Sequence, residues 1–213
     1  MGPASPVGQG LFIASLSFLA GMTDAIGLMS AGSFVSFMSG NTTNLGVALS
    51  ALDGRHAAWL AAVLALFVLG SAMGEIVHQR AGRPRGTVLV CVGMLMLAAS
   101  ACVFHAWQVP AFLLVVLAMG VLNAAFERSE GQAVGLTYVT GALARVGQAY
   151  GRYAATGEKP RPLPHVAAFC GLLTGALAGA AFQHRYADAA IVLPMALAWV
   201  LAALSWRWKH VPG

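Results

Sequence analysis

SFVSFMSGNTTNLGVALSAL, Ser33 to Leu52, decides how this chain folds. Its twenty residues carry no charge, and about 20 mainly apolar residues are enough to cross a bilayer. Its middle, however, reads SGNTTN, Ser39 to Asn44, a run of small and hydrogen-bonding side chains. A helix facing lipid gains nothing from such a run. The stretch is a span, a loop or a working part, and the rest of the chain must choose.

The surrounding composition places it in a membrane. Of 213 residues, 59% are hydrophobic and 9% charged. A soluble domain carries about 25% charged residues, so too little polar surface is present to hold this chain in water. The net charge of +5 then bears on orientation. The basic residues do not cluster with aromatics as a nucleic-acid face would, and no nucleic-acid partner is expected. Cys91, Cys102 and Cys170 lie in apolar runs and read as small buried hydrophobes. MGPASPVGQG has no basic residue ahead of the first apolar run, so no cleavable signal is expected.

Six apolar stretches are long enough to be spans, at about residues 11–29, 57–76, 86–106, 110–126, 165–184 and 188–208. WQVP, Trp107 to Pro110, supplies the turn between the third and fourth. Two segments remain, 33–52 and 132–152, each apolar at its ends and small or polar in the middle.

Lys and Arg are enriched in cytoplasmic loops. With six crossings and the N-terminus inside, nine basic residues (Arg80, Arg83, Arg85, Arg145, Arg152, Lys159, Arg161, Arg207 and Lys209) fall on the cytoplasmic side. Only Arg55 and Arg185 fall outside, and Arg128 sits near a span end. With eight crossings the split is six against five and Arg145 is stranded inside a span. Six crossings therefore fit, with both termini in the cytoplasm of a bacterial cell and the protein in its inner membrane. The two extra segments must return to the side they left, as re-entrant or broken half-helices, or lie in the interface.

An internal repeat pairs these segments. VSFMSGNTTNLGVAL (Val35 to Leu49) aligns with LTYVTGALARVGQAY (Leu136 to Tyr150), matching Gly40 to Gly141 and Gly46 to Gly147. GMTDA (Gly21 to Ala25) aligns with GVLNA (Gly120 to Ala124), which sets Asp24 opposite Asn123. Gly70 and Gly74 align with Gly175 and Gly179. The expected fold is all-α and integral to the membrane, with residues 1–108 as one repeat and 109–213 as the other. Three crossings per repeat make the second copy upside down, the inverted layout of many transporters.

Irregular backbone at membrane depth is tolerated where it packs in protein or lines a wet cavity. A half-helix starting at Ser39 or Asn41, and another at Thr140, would aim free N–H groups at such a cavity and suit an anion or polar solute. Arg145 would add positive charge. The expected solute site comprises Asp24, Ser39, Gly40, Asn41, Thr42, Asn123, Thr140, Gly141 and Arg145, with the SGN and TGA turns meeting near the midplane. The competing reading is that these small polar residues only pack broken helices. Asp24 stands out because an acid in a span costs about 2.5–3.5 kcal/mol on insertion scales and usually faces a cavity or partner. It could bind a cation or relay a proton, or it could hydrogen-bond its own polar neighbourhood. Glu127, Arg128 and Glu130 read as an interfacial cluster, and Glu75 as part of a span-end ion pair with Arg80. Gly171, Gly175 and Gly179 recur at the spacing that lets helices approach closely, within the chain or across a homodimer.

No HExxH, Walker or GxSxG motif is present, and no histidine pair has metal spacing. No cofactor, metal or catalytic residue is expected. The leading function is a transporter or channel for a small polar or anionic solute. A membrane scaffold or lipid-binding protein is the rival, and a membrane enzyme comes third.

AGMTDAIGLMSAGSFVSFMSGNTTNLGVAL and NAAFERSEGQAVGLTYVTGALARVGQAY together resemble the two signatures of the YoaK-like bacterial membrane proteins. The resemblance covers most of the chain. It implies a multi-pass inner-membrane protein of unknown function and supplies no substrate.

Overall fold

A computed structural model describes residues 6–81, 84–124, 139–160 and 162–207. Among these the chain forms α1 (Pro6–Ala31), α2 (Met38–Ser50), α3 (Gly54–Arg80), α4 (Pro84–Phe104), α5 (Gln108–Ala124), α6 (Val139–Thr156), α7 (Leu163–Tyr186), a 3-10 turn (Ala187–Ile191) and α8 (Val192–Arg207). A helix stands at each of the six expected spans. Glu127, Arg128, Glu130 and the start of the second polar segment lie outside the described residues.

Local chemistry sets the breaks. Gly32, at φ 67°, ends α1 with its N–H on Leu28 O, a left-handed position that glycine takes without strain. Asp53 caps α3, its side chain accepting from His56 N at 3.0 Å. The turn between α4 and α5 falls at His105–Trp107, so only Trp107 of WQVP lies in it, and Gln108, Val109 and Pro110 open α5. The start of α2 differs from expectation. It begins at Met38 behind Phe37, with no side-chain cap, so neither Ser39 nor Asn41 is its N-cap. Asn41 is turned back toward the preceding loop instead.

Among the described residues, four stretches are long and apolar enough to cross a membrane: Gly10–Ala31, Gly54–Arg80, Gly86–Phe104 and Leu163–Ser205. The six expected crossings exceed that number for two reasons. α5 is short, at 17 residues, and α7, the 3-10 turn and α8 run on as one apolar stretch of 43 residues.

The helices pack α1 on α7, α3 on α5 and α4 on both α5 and α8. Glycines bring backbones together at two of these crossings. A Cβ on Gly21 would strike Leu172 O, and one on Gly175 would strike Phe18 O. A Cβ on Gly120 would strike Phe67 O, and one on Gly70 would strike Leu117 O. Under the internal repeat Gly21 corresponds to Gly120 and Gly70 to Gly175, so the two crossings are equivalent. Gly171 meets Ala14 and Gly179 meets Met22. Contacts advancing in step along both helices make α1 and α7 parallel. The α7 glycine face considered for a dimer is thus buried within this chain. Between helices in a membrane, such close packing takes over the role that burial from water plays in a soluble core. Leu16, Leu19, Val92, Met96, Met119 and Leu122 fill the centre with almost no exposure.

The ends of the bundle are also fixed. Ser30 and Ala31 at the end of α1 line one cleft with Asp53, Arg55 and His56 at the start of α3. α2 therefore leaves and returns at a single end of the bundle. Gln108 at the start of α5 shares a cavity with Gln183 at the end of α7, so α6 joins the two at the opposite end. α2 packs on α3 and α6 on α7, and among the described residues α2 and α6 do not touch. The expected meeting of their turns at the midplane is not what the packing gives.

Candidate functional site

Asp24 is buried on α1, and its carboxylate receives the loop between α1 and α2. Oδ1 accepts from Val35 N at 2.9 Å, Ser36 N at 2.7 Å and Phe37 N at 3.3 Å. Oδ2 accepts from the Ser36 hydroxyl. A loop inside a helix bundle has N–H groups that neither helix can satisfy, and each would be costly left unpaired. One side-chain carboxyl placed below the loop accepts from three of them. The helix-start N–H groups expected to face a solute anion are closed on the chain itself, Gly40 N and Asn41 N donating to Phe37 O at 3.2 and 3.4 Å.

Asn41 fastens the same loop from the other side. Its Oδ1 accepts from Phe34 N at 3.1 Å, and its Nδ2 donates to Phe34 O at 2.7 Å. The amide is fully buried and reads both polar groups of one residue, which requires a donor and an acceptor together. Gly40 leaves room for the edge-on pair of Phe34 and Phe37 rings, 5.2 Å apart. Ser39 and Thr42 are exposed. The Thr42 hydroxyl bonds back to Met38 O at 2.8 Å, a local closure that lets a threonine sit in an apolar setting.

The remaining expected site residues lie elsewhere. Asn123 is half-buried near the end of α5. Thr140, Gly141 and Arg145 occupy the first turns of α6, against α7. Asp24, Asn41, Gly40 and Ser39 therefore form one group about the Gly32–Phe37 loop, and Thr140, Gly141 and Arg145 a second, at the other end of the bundle.

Cavities open beside the first group. One of about 230 Å³ runs between α1, α4, α5 and the end of α7. Its polar lining is Thr23, Ser30, Gln108, Gln183 and Asp188, and its walls are apolar, including Met96, Phe112, Val115 and Ile191. Thr23 is the neighbour of Asp24 in sequence, and its hydroxyl is held by Leu19 O, Ala20 O and Met119 Sδ. At the opening, Gln108 Nε2 donates to Asp188 Oδ2 at 3.0 Å and so links α5 to the 3-10 turn. Asp188 is the one charged residue in that lining among the described residues. A second, open cleft of about 450 Å³ adjoins it, sharing Ser30, Ala31, Gln108 and Phe112. Asp53, Arg55, His56 and Trp59 complete that cleft. Trp59 packs on Phe112 with ring centroids 5.4 Å apart, and its indole N–H donates to Ser33 Oγ at 3.1 Å.

Together these form a vestibule at the α2 end of the bundle, lined by Asp53, Arg55, His56, Gln108, Gln183 and Asp188 and bordered by Thr23. Chemically it can hold a small molecule by a few hydrogen bonds around an apolar body, the usual make-up of a solute pocket. Sequence reasoning did not single out Gln108, Gln183, Asp188, Arg55 or His56 as site residues. The available signal was that all of them fall at ends that six crossings place on one side.

A family model described as "Protein of unknown function (DUF1275)" matches residues 12–204. A UPF0700 transmembrane protein of Rhizobium meliloti (strain 1021) is 41% identical over 209 residues, covering 96% of this chain and 91% of the relative. No solved structure matches the chain. The resemblance read from the two signatures thus stands as an uncharacterised family of membrane proteins, while the YoaK name is not what the comparisons give. With apolar helices of membrane-crossing length and a family match along nearly all its residues, the chain belongs to the DUF1275 family.

Proposed function

We propose that the chain carries a small polar solute across the bacterial inner membrane, as a transporter or channel built from two inverted triplets of helices. The observation that carries this reading is the vestibule, which reaches from Gln108 and Asp188 down to Thr23. Polar lining at membrane depth has a purpose where water or solute enters. The inverted layout draws support from the equivalent glycine crossings and from α2 and α6 joining opposite ends of the bundle. Six crossings follow with α2 and α6 returning to the sides they left, and charge counting puts both termini in the cytoplasm and the vestibule outside.

The solute class narrows relative to the sequence reading. An anion loses support for its expected site beside α2, because Gly40 N and Asn41 N donate to Phe37 O and Asp24 takes the N–H groups of the loop ahead of them. Arg145 stands on α6, at the far end. The inner cavity offers Asp188 and neutral hydrogen-bonding groups, so a neutral or cationic solute fits it better. A scaffold acting through glycine faces loses its surface, since Gly171, Gly175 and Gly179 face α1.

Thiol labelling tests the reading. With Cys91, Cys102 and Cys170 replaced, Ser30→Cys and Thr23→Cys should react with a membrane-impermeant methanethiosulfonate in intact cells, Ser30→Cys faster. Failure of both to react from either face would rule out a wet vestibule.

A further inference from the structure

The two non-crossing helices are not equivalent, and the difference points to a lipid contact. α2 carries no charged residue, whereas α6 is amphipathic along its length. Leu143, Val146, Tyr150 and Tyr153 recur at spacings of three and four and share one face of α6, and Arg145, Gln148 and Arg152 share another. α6 buries only Ala142 and Ala149. Leu143, Tyr150 and Tyr153 are each about half exposed, at 48%, 55% and 51%. Arg152 and, just past the helix, Lys159 are exposed, and α6 itself carries no acid.

A helix with an exposed apolar strip, tyrosines on it and arginines opposite is suited to lying in the plane of the membrane–water boundary, apolar strip about 5–10 Å deep. We propose that α6 lies flat in the interface at its end of the bundle, and that Arg145, Arg152 and Lys159 hold the phosphates of anionic lipid headgroups. The occupant follows from charge: two arginines and a lysine against a single acid, Glu158, on a segment whose apolar strip is left for acyl chains. Arg145 then serves the lipid surface and not a permeation path. This assignment does not depend on transport.

The test uses the full chain, free of native cysteines, in vesicles of phosphatidylcholine with phosphatidylglycerol as the minor lipid. Nitroxides placed through Leu143→Cys and Ala154→Cys report depth by collision with oxygen and with a water-soluble nickel chelate. A flat α6 puts both labels at one depth. A re-entrant α6 separates them by about 16 Å, from the 1.5 Å rise per residue, and overturns the proposal. The second readout is lipid retained on the purified protein. Phosphatidylglycerol should be enriched over phosphatidylcholine, and the Arg152→Gln/Lys159→Gln variant should lose about fivefold of that preference per charge removed. A flat helix that retains both lipids equally overturns the headgroup assignment.

Discussion

Gly70 and Gly120 meet where α3 crosses α5, each presenting its Cα to the side on which the other would carry a Cβ. The backbones touch there, and no side chain fits between them. Gly21 and Gly175 make the equivalent crossing of α1 and α7. Alanine at any of these four positions must push two helices apart, and overpacking of this kind costs about 1–3 kcal/mol. Gly46 and Gly147 have nothing within 4 Å of a Cβ, and both lie inside helices. Alanine there should stabilise by up to about 1 kcal/mol through helix propensity. Thermal unfolding of the six variants in detergent checks the contrast.

Asp24→Ala strands the N–H groups of Val35, Ser36 and Phe37. The predicted loss is about 2–3 kcal/mol, since one unsatisfied buried donor already costs about 1–3 kcal/mol. Asp24→Asn keeps one acceptor oxygen for the loop and should lose about 1 kcal/mol. The order of the two unfolding midpoints is the check. Equal midpoints would remove the loop-holding role.

Asn41→Asp tests the opposite face of the same loop. The carboxylate can still accept from Phe34 N but cannot donate to Phe34 O, which it would oppose. Both Asn41→Asp and Asn41→Ala should destabilise by about 2 kcal/mol. Stability of Asn41→Asp equal to the parent would show that the donor half of the clasp is dispensable.

The positions of the helices were legible in the sequence because long charge-free runs leave few alternatives, and the glycine spacing of α7 announced a close approach. The partner of that approach was not legible, because small-residue spacing says that a backbone comes near without saying whose. Asn41 and the SGNTTN run looked like a solute site for a definite reason. Their hydrogen-bonding capacity is real, but Asn41 directs it to the backbone of Phe34, and Thr42 and Thr43 to the carbonyls of Met38 and Ser39. The vestibule had no local signature at all. Gln108, Gln183 and Asp188 come from separate turns and acquire a common cavity only when α1, α4, α5 and α7 pack.

Asp188 should impose a charge preference on the vestibule. With Thr23→Cys as reporter, a cationic methanethiosulfonate should react faster than an anionic one, by up to about thirtyfold, since a reagent passing Asp188 at about 4 Å in water gains about 1 kcal/mol if cationic and loses as much if anionic. Asp188→Asn should bring the two rates together. A preference unchanged by Asp188→Asn would place its origin elsewhere.

In the proposed arrangement α2 and α6 each return to the side they left, on opposite faces of the membrane. Ala51, in the turn between α2 and α3, and Ala155, in the last turn of α6, are both exposed. In a background lacking the native cysteines, Ala51→Cys and Ala155→Cys are treated with an impermeant thiol reagent in sealed vesicles of known orientation. The inverted arrangement predicts labelling from opposite faces, Ala51→Cys from outside and Ala155→Cys from the cytoplasmic side. Labelling of both from the same face would mean that α6 crosses, alone or together with α2, and would rule that arrangement out.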